Sequence, residues 1–337
     1  MRVSAALPTG VAALFFDSAK SRRELEERLA RLVEGRGYAE AILPILDYLE
    51  PYEALLTPAS RAELYRFLDR DGEQLALRAD FTPMLARLLA PRLATLSLPL
   101  RLFYRGDVVR YEVRRPLAQG FRRELFQLGV ERLGPADAAA DPVEGAEREV
   151  LLLFLEALTA AGGAGAKQVV LGFSGCLDEA LLEAVRTAPG GPAAAGTAPG
   201  QLAAAVARRD RGVVRGGPLR SVVETGLPER AGDLGPAAAA RLEWLAAVRE
   251  ELAERFPGVE LSIDLAEFAR YSRHPALAGE AGPRSYYDGL VFHAYAGPAG
   301  VPAGGGGRYG SLFRALGADI EAIGFSLNLD ALAAVER

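Results

Sequence analysis

The stretch Arg101 to Gly134, RLFYRGDVVRYEVRRPLAQGFRRELFQLGVERLG, constrains the fold more than any other part of the chain. It reads as two strands, one through Val108 to Val113 and one from Glu124 to Leu133, joined by a basic loop containing proline and glycine. In the second strand Phe126, Leu128 and Val130 face one way and Gln127, Gly129 and Glu131 the other, because strand side chains alternate with period two. One face is therefore core, and the other is a candidate binding floor. Gln127 and Glu131 stand about 13 Å apart at roughly 3.3 Å per residue, and the glycine between them leaves space above the sheet for a small polar ligand.

Length and composition bound the rest. A chain of 337 residues fits two domains, or one sheet carrying a large insertion. Half the residues are apolar and a quarter charged, which is ordinary for a globular protein with a sizeable core. A net charge of −5 opposes non-specific binding to phosphate backbones. Cys176 is the lone cysteine and closes no intrachain disulfide; with His274 and His293 it matches no zinc spacing, so no metal is expected. The apolar run Val11 to Phe16 is far shorter than the roughly 18 residues of a membrane span, and no signal peptide is visible. These readings place the chain in the cytoplasm and away from membranes.

Along the chain, residues 18 to 34 form an amphipathic helix pattern with Leu25, Leu29, Leu32 and Val33 on one face and Ser18 as N-cap. The segment GYAEAILPILDYLEP follows, an extended apolar run whose Pro44 marks an edge or bulge open to pairing with a second copy. Leu75 to Asp80 reads as a strand and Pro83 to Ala90 as a helix, with Thr82 as cap and Pro83 at its first position. Asp80 shares the polar strand end with Thr82, where a carboxylate suits an ammonium group. Pro142 to Ala161 is a helix with a wide buried face, and Lys167 to Phe173 a buried strand. From Leu177 to about Gly258 helical patterns alternate with Ala/Gly/Pro-rich joints, the texture of a small inserted helical domain. Strand texture returns at Val259 to Arg270 and at Gly289 to Tyr295. The four glycines Gly304 to Gly307 suit either a flexible hairpin or a close backbone approach.

Several motifs, in this order, resemble the catalytic core of histidyl-tRNA synthetases, which are class II aminoacyl-tRNA synthetases: VRYE, RRELFQLGVERLG, YYDGLVFHAY, GGGRYGSLF and GFSLNLDAL. LRADFTPMLAR is more similar to an offshoot of that family, the regulatory subunits of ATP phosphoribosyltransferase. The similarity spans residues 5–173 and 259–337. It implies an α+β fold: a six-stranded antiparallel sheet flanked by helices, with the core split into 1–176 and 259–337 by a helical insertion at 177–258. It also implies a homodimer built through the segment around Pro44; because the sequence ends soon after the core, no anticodon-binding domain is expected.

Carried over by position, Asp80, Thr82 and Gln127 fall where the family holds the histidine α-amino group, and Glu131 and Tyr287 where it holds the imidazole. Tyr286 precedes Tyr287 in the same motif. Arg110 falls on the arginine that touches a carboxylate or an activated phosphate, and Arg123 and Arg308 are candidate anion contacts. The residue chemistry agrees: a carboxylate accepts an imidazole N–H, a tyrosine hydroxyl serves the other nitrogen, and Asp80 can pair with an ammonium.

Three departures shape the functional expectation. Asn328 stands for a glycine and Ala331 for the arginine that clamps ATP in a synthetase, and losing that cation removes several kcal/mol of transition-state stabilisation in adenylation. Gly282 occupies the position of the arginine before the tyrosine pair, with Arg284 and Arg270 as alternative cations. The sequence also ends soon after the core. The resemblance thus implies a non-catalytic regulatory subunit without cofactors. Histidine would act as its effector, and the short-form ATP phosphoribosyltransferase catalytic subunit, which joins ATP to phosphoribosyl pyrophosphate at the start of histidine synthesis, would be its partner in a hetero-oligomer.

Two other readings compete. A compact ligase adenylating an amino acid for a non-tRNA acceptor is opposed by Ala331. An RNA-binding module would use the seven arginines between Arg101 and Arg123, but stacking aromatics are sparse there and Asp107, Glu112 and Glu124 can neutralise them, so no tRNA partner is expected.

Overall fold

The structure, a computed structural model, describes residues 6–56, 58–111, 122–135, 142–162, 167–187, 199–214, 216–272, 274, 287–297 and 300–335. Eleven strands and twelve α-helices are described. The strands are β1 (Ala39–Glu40), β2 (Leu46–Tyr48), β3 (Arg66–Leu68), β4 (Gln74–Leu77), β5 (Leu100–Val109), β6 (Glu124–Leu133), β7 (Lys167–Phe173), β8 (Val259–Ile263), β9 (Leu290–Ala296), β10 (Val301–Arg308) and β11 (Ala322–Asn328). The helices are α1 (Phe16–Gly35), α2 (Leu49–Glu53), α3 (Pro58–Ala62), α4 (Phe81–Leu89), α5 (Pro142–Ala160), α6 (Asp178–Arg186), α7 (Pro199–Ala207), α8 (Pro218–Thr225), α9 (Pro236–Arg255), α10 (Leu265–Phe268), α11 (Gly310–Ala315) and α12 (Leu329–Val335).

The main sheet has eight strands in the order β1-β5-β6-β11-β10-β9-β7-β8. Its inner six strands are antiparallel throughout, as expected, but β1 runs parallel to β5 and β8 parallel to β7, so the complete sheet is mixed rather than six-stranded and antiparallel. Parallel neighbours need a crossover, and between β7 and β8 the helices α6 to α9 supply it. A smaller antiparallel sheet, β2-β4-β3, stands apart.

The two expected strands pair as a hairpin, β6 over Glu124–Leu133 as read, but β5 over Leu100–Val109 instead of Val108 to Val113, with Phe103 opposite Val130 and Tyr104 opposite Gly129. Beyond Tyr111 the basic loop, residues 112–121, lies outside the described residues. Leu128 and Val130 join the larger apolar cluster with Leu25, Leu29 and Val33 of α1 and Phe154 of α5. On the opposite face Phe81, Tyr104, Tyr309 and Phe313 form a second cluster. Leu181, Val206, Val222 and Leu245 belong to the same buried cluster as Val169 and Phe292, so the helical segment shares one core with the sheet instead of enclosing its own.

Three local readings differ in detail. Helix α1 begins after Phe15, and Ser18 lies inside the first turn with its hydroxyl donating to the Phe15 carbonyl at 2.7 Å. Helix α4 is capped by Asp80 and not by Thr82: the Asp80 carboxylate accepts from the Thr82 backbone N–H at 3.1 Å, as an Asp N-cap does for the second helical residue. The glycine run is neither hairpin nor loop but strand β10, held between β11 and β9. A Cβ at Gly306 would collide with the Gly324 carbonyl and lie 2.7 Å from the Phe325 Cα, so close backbone approach is what the glycines permit.

Candidate ligand-binding site

Register assembles the site. Across β6 and β11, Gln127 stands opposite Asn328, Gly129 opposite Ser326 and Glu131 opposite Gly324. Ser326 in turn faces Gly305 of β10, which faces His293 of β9. One row of the sheet therefore reads Tyr104, Gly129, Ser326, Gly305, His293, with small residues in the middle and large ones at the ends. Above it lies a cavity of about 520 Å³ whose wall includes Asp80, Thr82, Arg110, Arg122, Gln127, Tyr271, Tyr287 and His293.

The expected polar floor divides in two. Gln127 reaches the cavity, but the space over Gly129 is filled by the Tyr104 ring, and a Cβ there would also sit 2.7 Å from the Phe325 carbonyl. Tyr104 is held by stacking on Phe81 at 4.1 Å between centroids. Glu131, 1% exposed, lies beneath the cavity and not on its wall. Its Oε1 accepts from the Thr82 hydroxyl at 2.7 Å and its Oε2 from the Tyr309 hydroxyl. Burial pushes its carboxyl up to about 8, against the lowering effect of the hydrogen bonds from Tyr309, Thr82 and Tyr104 and with the neighbouring Asp80 charge adding to the rise.

The far end carries a cluster that the sequence reading did not assign. His293 Nδ1 pairs with the Glu267 carboxylate, Tyr295 donates to the same Oε1 at 2.7 Å, and the Tyr271 hydroxyl lies 3.2 Å from His293 Nε2. The ring of Tyr271 meets Tyr287 edge-on at 5.6 Å. The alternation of β9, LVFHAYA, already put His293 and Tyr295 on one face; the signal missed was that Glu267 and Tyr271, in and after α10, cover that face.

Comparison with known proteins agrees with this architecture. A family model described as histidyl-tRNA synthetase matches residues 10–214 and 226–332. Proteins named ATP phosphoribosyltransferase regulatory subunit from Symbiobacterium thermophilum and Moorella thermoacetica are 34% and 32% identical over 97% of this chain, and the matches cover 78% and 80% of their own lengths. The chain belongs to the ATP phosphoribosyltransferase regulatory subunit family, with a histidyl-tRNA synthetase-like fold. A crystal structure titled ATP phosphoribosyltransferase regulatory subunit/histidyl-tRNA synthetase, from Bacillus halodurans, superposes with a TM-score of 0.74 at 24% identity, over 100% of this chain and 84% of that one. A histidine–tRNA ligase subunit from Alicyclobacillus acidocaldarius gives 0.70 at 27% identity, over 99% and 98%.

In this member of the regulatory subunit family the two departures in the last motif have local explanations. Asn328 caps α12, its side-chain oxygen accepting from the N–H groups of Asp330 at 3.1 Å and Ala331 at 3.2 Å. Ala331 lines the cavity with a methyl group and no charge.

The remaining candidates scatter. Arg110 reaches the cavity; Arg123 does not line it and lies over the Tyr111 ring at 5.0 Å, while its neighbour Arg122 does line it. Arg308 is turned away, 3.2 Å from Asp288 and 3.2 Å from Glu321, at a different cavity. Arg270 is exposed above Tyr271, 5.0 Å from its ring, and off the cavity wall. Tyr286, Gly282 and Arg284 lie outside the described residues. Among the described residues no group of three or more His, Cys, Asp or Glu is placed to hold a metal.

Proposed function

We propose that the chain is the regulatory subunit of an ATP phosphoribosyltransferase, the first step of histidine biosynthesis, and that it binds free histidine in the 520 Å³ cavity as a feedback effector. The observation that carries this reading is the set of residues on the cavity wall. Asp80, Thr82 and Gln127 retain the polar groups that suit an α-ammonium, Tyr287 stands where an imidazole ring would lie, and Arg110 and Arg122 are available to a carboxylate. Beside Gln127, the wall has Ala331 and the helix-capping Asn328 in place of a phosphate clamp. Such a site binds an amino acid without stabilising the charge that develops on phosphate during adenylation.

Histidine acts on the complex only through a difference in its affinity for two states of the assembly. The partner in this reading is a short catalytic subunit. A homodimer within the hetero-oligomer is supported by the small sheet, where Tyr48 and Phe67 flank Leu75 on one face and are 56% and 41% exposed. Nearby Ile42 is 88% exposed. A cytoplasmic setting fits helices of which, among the described residues, none is long and apolar enough to cross a membrane.

The test mixes the chain with a short-form catalytic subunit and follows phosphoribosyl transfer with and without histidine. Activity is expected to require the chain and to fall when histidine is added; activity and histidine response that are the same without the chain would overturn the proposal. A second reading, a compact amino-acid ligase, is favoured by one observation, the two arginines Arg110 and Arg122 on the wall. It requires exchange of pyrophosphate into ATP that depends on histidine or another amino acid, which the first reading excludes.

A further inference from the structure

We propose that the helical segment between β7 and β8 tunes the affinity of the ligand cavity, and that Arg209 is the positioning residue through which it does so. The inference rests on the histidine reading above for its ligand, and it gives the helical segment a role. Arg209 stands where a side chain is disfavoured. It follows α7 with a φ of 54°, one of two residues other than glycine with positive φ among the described residues. Its N–H donates to the Val206 carbonyl at 2.9 Å, and the N–H of Asp210 donates to the Ala205 carbonyl at 2.9 Å. These paired bonds close a helix on a left-handed residue, a position that glycine usually holds because it has no Cβ to clash. What the arginine adds is its guanidinium. Nη1 donates to the Val223 carbonyl at 2.9 Å, in the last turn of α8, and Nη2 pairs with Oδ2 of Asp264.

Asp264 is the turn between β8 and α10, and its two oxygens are divided. Oδ1 caps α10 by accepting from the N–H groups of Ala266 at 3.0 Å and Glu267 at 3.4 Å, while Oδ2 faces Arg209. Helix α8 abuts the same turn. Gly226, which ends it with a φ of 88°, accepts at its carbonyl from the Leu265 N–H at 2.8 Å, and a Cβ there would lie 2.8 Å from the Asp264 Oδ1 and 3.2 Å from its Cα. The ends of α7, α8 and α10 therefore meet at one carboxylate.

Helix α10 carries that junction to the cavity. Glu267, whose N–H is capped by Asp264, pairs through its own carboxylate with His293 Nδ1 and accepts from the Tyr295 hydroxyl at 2.7 Å. His293 lines the cavity wall, as does Tyr271 just beyond the helix. A helix of four residues has almost no stability of its own, so its place depends on its cap and its packing. The Arg209 side chain is 40% exposed, and an ion pair in that setting contributes little to unfolding stability. Its consequence is geometric: it fixes the rotamer of Asp264, and with it the first turn of α10.

The experiment is calorimetric titration of the full chain with histidine, beside thermal melting, for wild type, Arg209→Gly, Arg209→Lys, Asp264→Asn, the double variant Arg209→Gly/Asp264→Asn, and Arg220→Ala, which removes an exposed pair with Glu224 in the same segment. Arg209→Gly relieves the left-handed backbone and removes the guanidinium, so it is expected to melt close to wild type. It is expected to bind histidine roughly fivefold more weakly, in the range of substitutions that act through packed neighbours. Arg209→Lys keeps a cation for Asp264 and is expected to recover part of the affinity. Asp264→Asn keeps a cap for α10 without the charge; it is expected to weaken histidine, and the double variant to lose no more than the larger single loss. Arg220→Ala is expected to bind as wild type does. Unchanged histidine affinity in Arg209→Gly, equal losses in Arg209→Gly and Arg209→Lys, additive losses in the double variant, or an equal loss in Arg220→Ala overturns this inference alone. A wild-type chain with no histidine affinity overturns the histidine reading and this inference together.

Discussion

The hydroxyl of Thr82 lies 2.7 Å from Oε1 of Glu131, joining the start of α4 to the floor of the sheet beneath the cavity. The buried carboxyl it serves titrates at about 8, raised first of all by desolvation, against an ordinary value of 4.5. A carboxyl whose folded value is raised favours the folded state most below the unfolded value and progressively less as pH rises toward the folded value. Relative to Glu131→Gln, the stability of the wild type is therefore expected to fall between about pH 4.5 and 8, by an amount on the order of several kcal/mol, and to level off above. Urea unfolding of both proteins at pH 5 and pH 8.5 measures this, because groups common to both cancel in the difference. A difference that does not change with pH would show that Glu131 does not titrate in this window.

Gly324 is the position opposite Glu131 in β11, and a Cβ there would collide with the Glu131 carboxylate and with the Val130 carbonyl. Neither is the free end of a flexible chain. Gly324→Ala is expected to cost roughly 1–3 kcal/mol of stability, as overpacking does, and to weaken ligand binding by displacing the floor. Gly35→Ala, with nothing within 4 Å, is the control and is expected to leave both unchanged or raise stability slightly. Thermal melting and calorimetric titration check the pair.

Much of this site is written in the period of single strands. Alternation alone separates Gln127 and Glu131 from Leu128 and Val130, and the structure keeps that division. Which polar residue faces a ligand is not local information. Glu131 turns out to be sealed by Tyr309 from α11's entry and Thr82 from α4, and the space over Gly129 is taken by Tyr104 from the neighbouring strand. The edges of the sheet were hidden for a similar reason: β1 is only two residues long, and β8 pairs with β7 only after an intervening stretch of helices. Asp80 and Thr82 illustrate the limit at short range. Both residue types cap helices, and only the backbone decides between them.

Arg78 is 4% exposed and pairs with main-chain carbonyls: Leu43 and Pro44 at 2.7 Å and Asp107 at 2.7 Å. Its guanidinium also lies 3.7 Å from the centre of the Phe81 ring, which stacks on Tyr104. The planar fork thus ties the Pro44 segment to β5 and to the wall of the cavity. A lysine ammonium cannot span these three acceptors, and each buried carbonyl left unpaired costs about 1–3 kcal/mol. Arg78→Lys is expected to lower unfolding stability by about 2 kcal/mol or more and to weaken ligand binding, as measured by denaturant titration and calorimetry. Unchanged values for both would mean that the segment is held by other contacts.

The small sheet β2-β4-β3 buries Asp47 and Ala76 on one face and turns Tyr48, Leu75 and Phe67 outward in one row on the other. Neighbouring strands of an isolated apolar face gain by covering it, and a second copy of this chain does so in the proposed dimer. Phe67→Asp places a charge in that row, where desolvation without a partner is costly. Dimer dissociation is expected to shift by at least about 1.4 kcal/mol, a factor of ten, in sedimentation velocity over a concentration series. The thermal midpoint extrapolated to low protein concentration should stay the same, because Phe67 is already 41% exposed in the single chain. An unaltered association constant would place the interface on another face.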